Sequence, residues 1–131
     1  MPPEPAWDIR ILRDKVRPDA LRSLVDDGFG DMVKYVVDVA RGVIALGGEL
    51  HADAEALLLA DGSRQADLWG ANFYPRLLPA ERIEFTSLIN IRPSAGNPSM
   101  EVRDEGIRQR IREITEKLIL GTGDGLTEGP P

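Results

Sequence analysis

The chain has no cysteine and a single histidine, His51. The first absence excludes a disulfide framework, a zinc–thiolate site and a cysteine nucleophile. The second excludes a histidine-rich transition-metal site. No apolar run approaches the ~18 residues of a membrane span, so no membrane association is expected. Cations are the minority charge, 16 against 22 acidic residues, for a net charge of −6. That balance argues against nucleic-acid binding, which calls for a basic face. Arg103, Arg108, Arg110 and Arg112 form a potential stripe, but Asp104, Glu105 and Glu113 interrupt it. Nucleotide fingerprints are missing too: there is no G-x-G-x-x-G after a strand, no G-x-x-x-x-G-K and no G-x-S-x-G elbow.

What remains is an ordinary globular composition, 42% hydrophobic and 29% charged over 131 residues. That length accommodates one domain and a real core. The prolines of MPPEPAW and the glycines and prolines of GTGDGLTEGPP suggest flexible tails at 1–6 and 121–131 around a single domain at 7–120. The N-terminus lacks the basic start and apolar stretch of a signal peptide, and a cytoplasmic location is expected.

Periodicity supplies the elements. Residues 8–13 alternate as a short strand. Pro18 opens a helix with Leu21, Leu24 and Val25 on one face, ended by Gly28 and Gly30. Residues 33–40 and 43–46, joined at Arg41-Gly42, read as a β-hairpin. Residues 52–60 read as a helix whose apolar face is Ala54, Leu57 and Leu58, with Gly62 as its stop. Residues 68–74 and 83–91 read as strands. Ile107, Ile111, Ile114 and Leu118 mark a last helix capped by Asp104. The order β-α-β-β-α-β-β-α predicts an α+β two-layer sandwich: a mainly antiparallel sheet of about five strands covered by three helices on one face. The open face, with Leu12, Val36 and Leu88, would then be a candidate homodimer surface.

Four phrases are unusual: FGDMVKYVVDV, ALGGELHADAEALLL, GSRQADLWGANFYP and SLINIRPSAGN, together spanning roughly residues 29–97. In these phrases the chain resembles an uncharacterised bacterial family of unknown function, number 5674. The resemblance implies the same small α+β fold and brings no activity, cofactor or partner. The chain departs from the family pattern at Ala95, where Gln is commoner, and at Pro98, where a basic residue is.

The same phrases hold the candidate ligand-binding residues: His51, Glu55, Asn72, Arg92, Ser94 and Asn97. On a helix, His51 and Glu55 lie on one face at i,i+4, so the carboxylate could fix the imidazole tautomer. Alternatively, His51 bonds a backbone carbonyl. Arg92 with Ser94, Asn97 and Gly96 could cradle a small anion, or form an ordinary polar loop. Asn72 is out of character in a strand and calls for a partner, with Asn90 or Arg92 on the next strand as candidates. Gly70 suggests a bulge or a close backbone approach. A carboxylate metal site at Glu49, Asp53 and Glu55 matches no known loop spacing, and neither a metal nor a cofactor is expected. The expectation is a domain that binds a small ligand or anion around His51, Asn72 and Arg92. The alternative is an interaction or homodimerisation module whose polar phrases are internal hydrogen-bond networks.

Overall fold

A computed structural model describes residues 7–126. The expected tail residues 1–6 and 127–131 lie outside the described part. Within 121–126, Leu126 is buried, and Arg82 donates to the carbonyls of Gly121 and Asp124 at 3.1 and 2.7 Å.

The elements follow the expected order: β1 (Ile9–Leu12), α1 (Pro18–Asp26), β2 (Val33–Asp38), β3 (Val43–Gly47), α2 (His51–Ala60), β4 (Leu68–Phe73), β5 (Ile83–Glu84) and α3 (Glu105–Leu118). The sheet is five-stranded, in the order β1-β3-β2-β4-β5, with every pair antiparallel. The α+β class, the three helices and the antiparallel sheet are as the sequence indicated.

The helices do not share one face. Val33, Tyr35, Val37, Trp69, Ala71 and Phe73 point into the larger core with Leu21 and Val25 of α1 and Ile111, Ile114 and Leu118 of α3. The alternate positions Val36, Ala45 and Leu68 form a second core with Ala54 and Leu58 of α2. The expected open face is therefore occupied. Val36 is fully buried beneath α2, and Leu12 belongs to the larger core; only Leu88, 71% exposed, is on the surface. A strand apolar on both faces, such as YVVD in β2, is the signature of a sheet covered on both sides.

β5 is the second correction. The alternation over residues 83–91 is real, but only Ile83 and Glu84 pair with β4. Beyond them the chain changes partner. Thr86 bridges Glu101, the Val102 amide donates to the Phe85 carbonyl at 3.0 Å, and the Ser87 amide to Met100 at 3.0 Å. Ser87 then caps a single 3₁₀ turn, Leu88–Asn90. This departure would leave the edge of β4 unpaired at Gly70. The fully buried Asn90 side chain takes the place of a strand: its Oδ1 accepts from the Gly70 amide at 2.8 Å, and its Nδ2 donates to the Gly70 carbonyl at 2.9 Å. Gly70 must be glycine here, because a Cβ would sit 2.6 Å from Ser87 Cβ and 3.1 Å from His51 Cδ2. The close approach expected at Gly70 is made by two side chains rather than a backbone.

Asn90→Ala strands two buried backbone groups, each costing about 1–3 kcal/mol when unsatisfied. Urea denaturation should show a loss of about 3 kcal/mol. A variant as stable as the parent would show that β4 does not depend on this amide.

Candidate functional site

α2 forms because Ala52, Ala54, Glu55, Ala56 and three leucines are strong helix formers. Gly62, at φ 105°, ends it in a left-handed turn, with Ser63 N–H bonded to the Leu58 carbonyl at 2.9 Å. The helix places His51, its first residue, over the middle of β4. His51 is 9% exposed, and its Nε2 lies 2.8 Å from the Ala71 carbonyl oxygen. A carbonyl only accepts, so Nε2 carries the proton and Nδ1 is the acceptor of the neutral ring. The tautomer is thus fixed by the sheet, not by Glu55.

Asn72 stands on the same face of β4 as Gly70. It is 7% exposed, and its Nδ2 donates to Glu84 Oε1 at 2.7 Å and towards the Thr86 carbonyl at 3.4 Å. Both partners are acceptors, which fixes the orientation of the amide. Neither Asn90 nor Arg92 partners Asn72, because β5 ends before reaching them. The Oδ1 of Asn72 is buried and has no partner among the described residues. Strand register puts Lys34 of β2 on one side of Asn72 and Glu84 of β5 on the other.

Burial is the main influence on His51 and pushes its pKa below 6.5. The Ala71 hydrogen bond opposes the shift, the charge of Lys34 reinforces it, and a side-chain hydrogen bond with Asn72 and the charge of Glu84 act against it. The net effect is a neutral ring at pH 7, with Nδ1 as its acceptor nitrogen.

The remaining candidates sit elsewhere. Glu55 is one turn along α2, and its charge acts on Arg92. The Arg92 guanidinium lies over Trp69, 4.5 Å from the ring centroid, and donates to the carbonyls of Leu68 and Ala66. Asn97 organises its own loop. Its Nδ2 lies 2.8–3.0 Å from the carbonyls of Asn90, Ser99 and Glu101, and its Oδ1 accepts from Arg103 N–H at 2.9 Å. Ser94 is exposed on that loop. The structure therefore brings together His51 and Asn72, and keeps Arg92, Ser94 and Asn97 in one loop, where Arg92 and Asn97 pair through their backbones and the Arg92 and Asn97 side chains are taken up by carbonyls. Sequence reasoning passed over Lys34 and Glu84. Their alternation with the apolar residues of β2 and β5 was visible, but the pairing that flanks Asn72 with them was not. Among the described residues no group of three or more His, Asp or Glu could hold a metal ion. No helix among them is long and apolar enough to cross a membrane.

The model of a family described as a protein of unknown function (DUF5674) matches residues 10–118. The chain belongs to this family. The matched span of the DUF5674 domain contains Lys34, His51, Asn72 and Glu84, all four residues of the polar cluster. No curated protein and no solved structure gives a significant match.

Because the folded pKa of His51 lies below 6.5, the unfolded chain binds that proton more readily. Stability is then complete above the unfolded value and falls as pH drops from 7 towards 5. His51→Gln keeps a donor for Ala71 and should flatten this part of the profile. Chemical denaturation at stepped pH tests this, and an unchanged slope in the variant would contradict it.

Proposed function

We propose that this domain binds a small ligand at the His51–Asn72 pair and reads it through a hydrogen-bond donor. The observation that carries this reading is Asn72 Oδ1, a buried acceptor without a partner among the described residues. An unmet buried polar atom costs about 1–3 kcal/mol, and such an atom calls for a partner. Neutral His51 adds a second acceptor through Nδ1, and Glu84 places a carboxylate beside them. Acceptors and a carboxylate suit a hydroxyl or an ammonium. An anion at the Arg92 loop has less support, because Arg92 already serves two carbonyls and a ring face.

The single histidine makes the test direct. The His51 ring signals and the Asn72 side-chain amide are followed by NMR while glycerol, ethylammonium or inorganic phosphate is added. Glycerol or ethylammonium should shift both residues, Asn72→Leu should abolish the response, and phosphate should leave them in place. Silence towards both donors would overturn the reading and leave Asn72 as a site for ordered water.

A second reading rests on the outer side of α2. Ala52, Ala56, Leu57, Leu59 and Ala60 are all exposed, where a surface helix ordinarily carries polar residues. Asp61, bonded to Arg13 at 2.7 Å, ties down the end of the helix. The alanines permit close approach of another helix, and a second copy of α2 is the proposed occupant. Sedimentation equilibrium should show a dimer that Leu59→Glu weakens; a monomeric parent chain would contradict this reading.

A further inference from the structure

A cavity lies not at the polar cluster but beside it. It measures about 180 Å³ and lies where α1, the loop before β2 and the end of β3 meet. A cavity of about 150 Å³ is enough for a benzene ring. Leu24 and Val33 supply apolar wall, and Trp7 and Phe29 form an edge-to-face pair with centroids 4.8 Å apart. Both rings are partly exposed, at 38% and 40%. One wall is bare backbone. Gly47 has φ 111°, and a Cβ there would meet the Asp8 carbonyl oxygen at 2.3 Å, so this position holds glycine only.

The cavity also has a polar end. Lys34 is half-buried in its wall, with Nζ 5.1 Å from the Phe29 ring centroid. Among the described residues Lys34 forms no ion pair. The other cation of the lining, Arg10, is held by Asp8 at 3.2 Å. The remaining carboxylate, Asp27, is exposed on α1's side. An apolar enclosure with an unpaired ammonium at one end is built for a flat apolar body bearing a negative charge.

We propose that this cavity is a second binding site that takes a small aromatic carboxylate, its ring against Trp7 and Phe29 and its carboxylate on Lys34. The site is separate from the His51–Asn72 pair and meets it only through Lys34, whose charge both feel. Asp27 sets the orientation by repelling the carboxylate from the α1 side.

The test uses the full chain with sodium phenylacetate as the probe and Trp7 as the reporter, read from its indole N–H signal. Benzyl alcohol, phenethylammonium and acetate are the controls. Phenylacetate should bind about tenfold more tightly than benzyl alcohol, as one charge-assisted contact allows. Phenethylammonium and acetate should bind more weakly still. Binding should also raise the His51 titration midpoint, since the ligand's charge offsets that of Lys34. Lys34→Met keeps the aliphatic stem and should reduce phenylacetate to the level of benzyl alcohol. The comparison of ligand charges needs no variant and decides the matter even if Lys34→Met folds poorly. Equal binding of the three ring compounds, or no Trp7 response to millimolar phenylacetate, would overturn the proposal. Neither result bears on the response of Asn72 to glycerol or ethylammonium.

Discussion

The structure turns on the edge of β4 at Gly70. A buried strand must have its amides and carbonyls satisfied, yet the neighbouring chain pairs with β4 for only two residues before leaving. Asn90 closes the gap with a side-chain amide that copies the donor–acceptor pair of a backbone. That substitution works only if the chain comes very close, and Gly70 permits it by having no side chain to strike Ser87. The same missing side chain admits the His51 ring from above. One glycine therefore sets the end of β5, the seat of the 3₁₀ turn and the position of the histidine.

Two residues further along, the arrangement acquires its chemistry. Asn72 is the next β4 position on that face, and the short β5 still reaches it with Glu84. The amide spends its donor on Glu84 and keeps its oxygen. His51 spends its one proton on Ala71 and keeps Nδ1. Both groups thus present acceptors, and the burial that keeps the ring neutral preserves this state at pH 7. Arg92, which by sequence looked like an anion grip, is instead the cover of Trp69 and a cap for the start of β4.

Much of the fold was legible because it is local. Alternation in KYVVD, the capping Asp104 and the helical spacing of Ile107, Ile111, Ile114 and Leu118 depend on near neighbours in the chain. The side of the sheet taken by α2 was not legible. Its apolar residues run right round the helix, so no single stripe points to a core. Residues 85–87 show the same limit: extended backbone was evident, but its pairing with 100–102 rather than β4 is decided by side chains far away in sequence. At the site, His51 and Asn72 were recognisable by type, as residues out of place on a helix start and a strand. Their flanking by Lys34 and Glu84 depends on strand register across three strands, which no local pattern encodes.

The sheet fixes His51 as a neutral ring with its proton on Nε2. The ring ¹⁵N shifts of this single histidine, recorded at pH 7, measure that state directly. The account predicts one protonated nitrogen, Nε2, and one unprotonated nitrogen, Nδ1. A proton on Nδ1, or a ring charged at both nitrogens at that pH, would contradict it.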